Sequence, residues 1–107
     1  MTAHRVVIQW NESDQTKWPL MVNNIVHLLK AMPEAEIKVI SFGPGIFAFH
    51  KERAIELPAG VQVGICQNTM RGTNTSEDQL ITGIQVVPSG VAEIVKLQAD
   101  GWIYLRP

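Results

Sequence analysis

Val61-Gln62-Val63-Gly64-Ile65-Cys66, running straight into Gln67-Asn68-Thr69-Met70-Arg71-Gly72, is the stretch on which the fold turns. Its first half alternates apolar residues with small or polar ones and is rich in β-branched side chains, the pattern of a strand. Pro58-Ala59-Gly60 breaks the chain just before it. The polar residues after Cys66 open a helical turn, so the thiol sits where a strand hands over to a helix. Such handovers belong to parallel α/β sheets, whose strands need a crossover between them.

The rest of the chain repeats the unit. Upstream, Ala3 to Trp10 reads as a strand whose continuous run Val6-Val7-Ile8 suits burial on both faces. Thr16 is placed to cap a helix, Pro19 fits its first turn, and Met21, Ile25, Leu28, Leu29 and Met32 keep one apolar face. Pro33 stops it, Ala35 to Phe42 forms a second strand ending at Gly43-Pro44-Gly45, and Ile46 to Glu56 predicts a second helix. Downstream, Ser76-Glu77-Asp78-Gln79 has the form of a capping box and predicts a short helix within the polar stretch 67–83. Ile84 to Val87 is a fourth strand. Val91, Ile94, Val95 and Gln98 mark a last helix ending at Gly101, and Trp102 to Leu105 a fifth strand. The economical assembly is one α/β domain over residues 1–107, a five-stranded, mainly parallel sheet covered on both faces with right-handed crossovers. Ligands in such sheets bind beyond the carboxyl ends of the strands.

The composition narrows the function. The chain has 107 residues, a formal net charge of -1 and no basic stripe, which argues against direct binding of nucleic acid. No apolar run is long enough for a signal peptide core or a membrane span, so the expected setting is the cytoplasm, with no membrane contact. Cys66 is the single cysteine, which excludes an internal disulfide, and His4, His27 and His50 are too scattered for a zinc site. No metal and no cofactor are expected. Neither Gly-x-Gly-x-x-Gly nor a phosphate-binding loop with Lys-Ser/Thr occurs, and there is no nucleophile elbow.

Cys66 is therefore the candidate chemical centre. At a helix start, the N–H groups of Asn68 and Thr69 point toward its sulfur and favour the thiolate, the form that attacks or accepts sulfur. Arg71 is close enough in sequence to add positive charge. The plainer use of the residue is as a small buried hydrophobe. Gly43, Gly45, Ser89 and Gly90 lie in turns where backbone amides could approach an anion, although turn geometry alone also accounts for them. Asn23 and His27, one helical turn apart, either line a site or form a solvated face. Glu93 either aims into the crevice or simply favours its helix N-terminus. Trp18, Trp102 and Tyr104 are large for so small an interior, which points to burial between copies of the chain, the ordinary alternative being a core or semi-exposed position.

From Cys66-Gln67-Asn68-Thr69-Met70-Arg71-Gly72 through Glu77-Asp78 to Val87-Pro88-Ser89-Gly90-Val91-Ala92-Glu93, the sequence resembles the DsrE/DsrF-like family. Lys17-Trp18-Pro19 with Asn23-Asn24, and the ending Leu97-Gln98-Ala99-Asp100-Gly101-Trp102-Ile103-Tyr104, are similar to its short stand-alone members. The resemblance implies a three-layer α/β/α domain in a flavodoxin-like arrangement that assembles into dimers, trimers or hexamers. It also implies a sulfur carrier or sulfurtransferase-like role in which Cys66 receives sulfane sulfur as a persulfide from a protein donor and passes it to a protein acceptor. The residues between Cys66 and Arg71-Gly72 depart from the small, alanine-rich stretch of the relay subunits. The alternative is a non-catalytic oligomeric module that binds a small molecule or anion at the turns around Gly43, Gly45, Ser89 and Gly90.

Overall fold

The computed structural model describes residues 4–107. Five strands are present: β1 (Arg5–Trp10), β2 (Glu36–Ser41), β3 (Gln62–Cys66), β4 (Gln85–Val87) and β5 (Ile103–Leu105). With them go three α-helices: α1 (Trp18–Ala31), α2 (Gln67–Gly72) and α3 (Gly90–Ala99). The expectation of a strand from Ala3 holds from Arg5 onward, Ala3 itself lying outside the described residues.

All pairings among the five strands are parallel and the sheet order is β4-β3-β2-β1-β5. The chain lays β1 to β4 side by side, then returns across the sheet to set β5 against the free edge of β1. Reversing direction under a right-handed crossover rule puts the last connection on the opposite face. Accordingly α3 packs with Val7, Ile40 and Trp102, whereas α1 packs with Val6, Ile8, Trp10, Ile37, Val39, Val63 and Ile65. The layering is the three-layer arrangement expected. Here the return strand is the last one, β5, where the 2-1-3-4-5 order of flavodoxins places the second strand outermost beside the first. Burial on both faces explains the unbroken apolar run of β1, in which Val7 and Ile8 have no exposed surface.

Three expectations are corrected. Thr16 does not cap α1. Asp14 instead accepts from Thr16 N at 3.0 Å and starts a 3-10 turn, Gln15–Lys17, that leads into the helix. Residues 46–56 form no α-helix: Gly43–Phe49 is a 3-10 segment and Lys51–Arg53 a second short turn. Ile46 and Phe49, both fully buried, are three residues apart, the 3-10 repeat, and Gly45 presses so close to β1 that a wider helix has no room. A Cβ on Gly45 would lie 2.5 Å from the Trp10 carbonyl oxygen. The capping box at Ser76 is formed but carries only the 3-10 turn Glu77–Gln79. The true helix of that region is α2, which begins at once after Cys66.

Candidate functional site

The crevice of a doubly wound sheet opens where neighbouring strands send their chains to opposite faces. Here those neighbours are β3, which feeds α2, and β4, which feeds α3 on the other side. Cys66 closes β3 and is the N-cap of α2, directly opposite Val87 of β4. Two residues beyond Val87, Ser89 caps α3, its hydroxyl accepting from Ala92 N at 3.3 Å. The starts of two helices therefore converge on one sulfur.

Their effect on it is a contest. Burial pushes the Cys66 thiol up, while the N–H groups of Gly90 and Thr69, the Thr69 hydroxyl and the N–H of Asn68 push it down. The donors prevail, and the thiol is held below its ordinary value. Cys66 closes no capping hydrogen bond of regular geometry, so these groups act as oriented dipoles around the sulfur rather than as one strong bond. No charged side chain contributes.

Gly90 makes this approach possible. A Cβ at Gly90 would sit 3.0 Å from Phe42 Cβ and 3.3 Å from Cys66 Cβ, so only glycine lets the start of α3 come this near. Phe42, the half-buried residue just after β2, thus packs against Gly90 on the same side as Cys66. Sequence reasoning passed over it, and its apolar neighbours in β2 gave no reason to separate it from the core. The same holds for the Thr69 side chain, which accepts from Gly43 N at 2.9 Å and ties the turn after β2 to the first turn of α2.

The sulfur is less open than the sequence suggested. Cys66 is 5% exposed, and it lines none of the surface grooves described below. Being the last residue of a central strand places it under the converging turns rather than on top of them.

The other candidates divide. Asn68, Thr69 and Gly90 gather at Cys66. Gly43 is close by, but its amide is committed to Thr69 and its backbone has φ +59, a reason for glycine by itself. Ser89 spends its hydroxyl on the cap, and Gly45 is explained by its contact with β1. Arg71 is exposed on α2 and faces a groove with Gln67, Met70 and Asn74. Glu93 is half-buried in the first turn of α3. Asn23 and His27 are exposed on α1, and Asn23 borders a separate groove of about 420 Å³ with Trp18, Pro19 and Arg53. Among the described residues no cluster of His, Cys, Asp or Glu is placed to hold a metal ion, and no helix is long and apolar enough to cross a membrane.

Trp18 and Trp102 do not wait for a partner. Trp18 Nε1 donates to the Glu12 carbonyl at 2.8 Å, and Trp102 is covered by Arg5 and Lys38, so both are buried within the chain. The exposed apolar surface lies elsewhere. Val91 and Val95 stand out from α3, and Tyr104 shares with them and Phe42 an open groove of about 540 Å³.

Comparison with known proteins agrees with this architecture. The family model described as DsrE/DsrF-like family matches residues 4–107. The solved structure of MTH1491, a protein of unknown function from Methanobacterium thermoautotrophicum, is 30% identical with a TM-score of 0.86. The match covers 97% of this chain and 99% of that one. Among curated proteins none matches.

Proposed function

The chain belongs to the DsrE/DsrF-like family, associated with sulfur relay, and from that premise we propose that it carries sulfane sulfur as a persulfide on Cys66. The observation that supports this most is the crowd of N–H and O–H donors that outweighs burial and favours the thiolate. In the proposed step the Cys66 thiolate attacks the terminal sulfur of a donor protein's persulfide. The new Cys66 S–S bond forms as the donor's S–S bond breaks, and the donor leaves as a thiolate. Sulfur is passed on and no net oxidation occurs, so neither metal nor cofactor takes part. The same donors steady the charge on the terminal sulfur, and the low exposure of Cys66 keeps stray thiols away, at the cost of a local opening when the partner protein arrives.

Set in the cytoplasm, where thiols stay reduced, a single cysteine suffices for this role. The anion-binding alternative is less well served, because the Gly43 amide and the Ser89 hydroxyl are already engaged inside the chain. We further propose assembly with copies of itself, which the 58% and 66% exposure of Val91 and Val95 supports. Sedimentation of the wild type beside Val95→Glu tests it: a single monomeric species for both removes the proposal. For the sulfur role, the test is intact-protein mass spectrometry after exposure to a persulfide donor, with Cys66→Ser alongside. One extra sulfur on the wild type and none on the variant is the expected outcome.

A further inference from the structure

The structure assigns a second binding site, for a carboxylate carried on a flat apolar group, to the groove of about 420 Å³ between the start of α1 and the turn Lys51–Arg53. That volume falls within the range of small-molecule pockets, about 300–1,000 Å³. The floor is apolar, built from Trp18, Val22, Ala48 and Ile55. Polar groups stand around it, and the one held firmly in place is Arg53.

Three contacts fix that side chain. The Arg53 backbone N–H donates to the His50 carbonyl at 3.0 Å, its Nη1 donates to Gln15 Oε1 at 2.7 Å, and its guanidinium lies over the Trp18 ring, 5.3 Å from the centroid. The ring is fixed in turn, since Trp18 Nε1 donates to the Glu12 carbonyl. A guanidinium carries five N–H donors, of which Gln15 takes one. The others meet no acid: among the described residues the ion pairs are His4–Glu34 and Lys17–Glu12, and neither includes Arg53. Glu56 borders the same groove without pairing with Arg53. An ordered arginine that lacks a carboxylate, above an apolar floor, is matched by a ligand that brings the carboxylate and covers the floor. The helix start does not supply this charge, because Pro19 in the first turn of α1 has no N–H and the Trp18 N–H is bound to the Gln15 carbonyl. Recognition therefore falls on Arg53, with the Asn23 amide at the same groove as a further donor. Cys66 does not line this groove, so the site lies apart from the proposed sulfur carrier.

The experiment is titration of the whole chain with phenylacetate, followed by calorimetry and by NMR, beside acetate, phenylacetamide and phenethylamine. Phenylacetate should fill one site per chain, moving the Trp18 indole and Val22 signals and leaving Cys66 unmoved. Phenylacetamide keeps the shape without the charge and should bind about tenfold more weakly, the share of a charge-assisted hydrogen bond. Acetate, which has no apolar body, should not compete. Arg53→Gln should weaken phenylacetate about tenfold, and Glu56→Gln, which removes a like charge from the groove, should tighten it. Both residues are exposed, so the variants keep the fold, which circular dichroism checks. Absence of saturable phenylacetate binding at millimolar concentration, equal affinity in wild type and Arg53→Gln, or a preference for phenethylamine overturns the proposal. None of these measurements involves persulfide, so the sulfur-carrier reading stands or falls separately.

Discussion

Replacing Gly90 by alanine puts one methyl group into the narrowest place in the molecule. The new Cβ meets Phe42 Cβ at 3.0 Å, Phe42 Cδ1 at 3.1 Å and Cys66 Cβ at 3.3 Å, all inside the ordinary carbon contact distance of about 3.5–4.0 Å. Gly90 is outside the left-handed region, so the backbone bears no conformational penalty. Overpacking of a tight interior costs about 1–3 kcal/mol, while alanine in place of a helical glycine returns at most about 1 kcal/mol. The net expectation is a loss of about 0–2 kcal/mol, read by urea unfolding. The more telling result lies at the sulfur. The neighbours must part by a few tenths of an ångström, α3 backs away, and the Gly90 N–H withdraws from the thiolate. The pH midpoint of Cys66 alkylation by iodoacetamide should then rise, because a group that favours the thiolate is drawn away. A variant stabilised by about 1 kcal/mol with an unmoved midpoint would refute the idea that the start of α3 holds the thiolate.

Four further results are expected. Gly45→Ala sets its Cβ against backbone, 2.5 Å from Trp10 O and 2.7 Å from Asn11 Cα, neither of which can rotate away, so unfolding assays should show a loss of about 3 kcal/mol or more, or no folded protein. Ser41→Ala removes a fully buried hydroxyl that has no partner, and calorimetry should find it neutral or stabilising by up to about 1 kcal/mol; a clear loss would point to a missed hydrogen bond. Trp10→Phe gives up an indole N–H that is likewise unpartnered while keeping the contact with Phe49 at 5.0 Å between ring centres, so it should cost far less than Trp10→Ala, for which about 3–5 kcal/mol is expected. The folded thiol ionises below its unfolded value, so the unfolded state binds more protons between the two. The contribution of Cys66 to stability is therefore complete above the unfolded value of about 8.5 and fades as pH falls through the lower folded value, and wild type minus Cys66→Ser stability should decrease over that window.

How much of this was legible beforehand follows from which interactions are local. The strands announced themselves because burial on both faces writes continuous apolar runs, as in Val6-Val7-Ile8, and the long helix because Met21 and Ile25 repeat on one face. The site was legible to the extent that a cysteine ending a strand, followed at once by polar residues, must sit at a carboxyl edge. What escaped were consequences of sheet order and close approach. The reversal of direction after β4 brings Gly90 against Cys66, and no pattern within either segment encodes that contact. The segment 46–56 misled because Ile46, Ala48 and Phe49 satisfy apolar spacing for either helix type, and only the proximity of Gly45 to Trp10 selects the tighter one. Thr69 was noticed for its amide, whereas its hydroxyl matters through a partner 26 residues away.

The most direct trial of the account is to load the native protein from a persulfide donor, remove the donor, and weigh it intact. The account predicts a mass increased by one sulfur atom, located by peptide mapping at Cys66 and removed by a thiol reductant. A wild type that stays at its original mass, although its thiol alkylates readily at neutral pH, would contradict it.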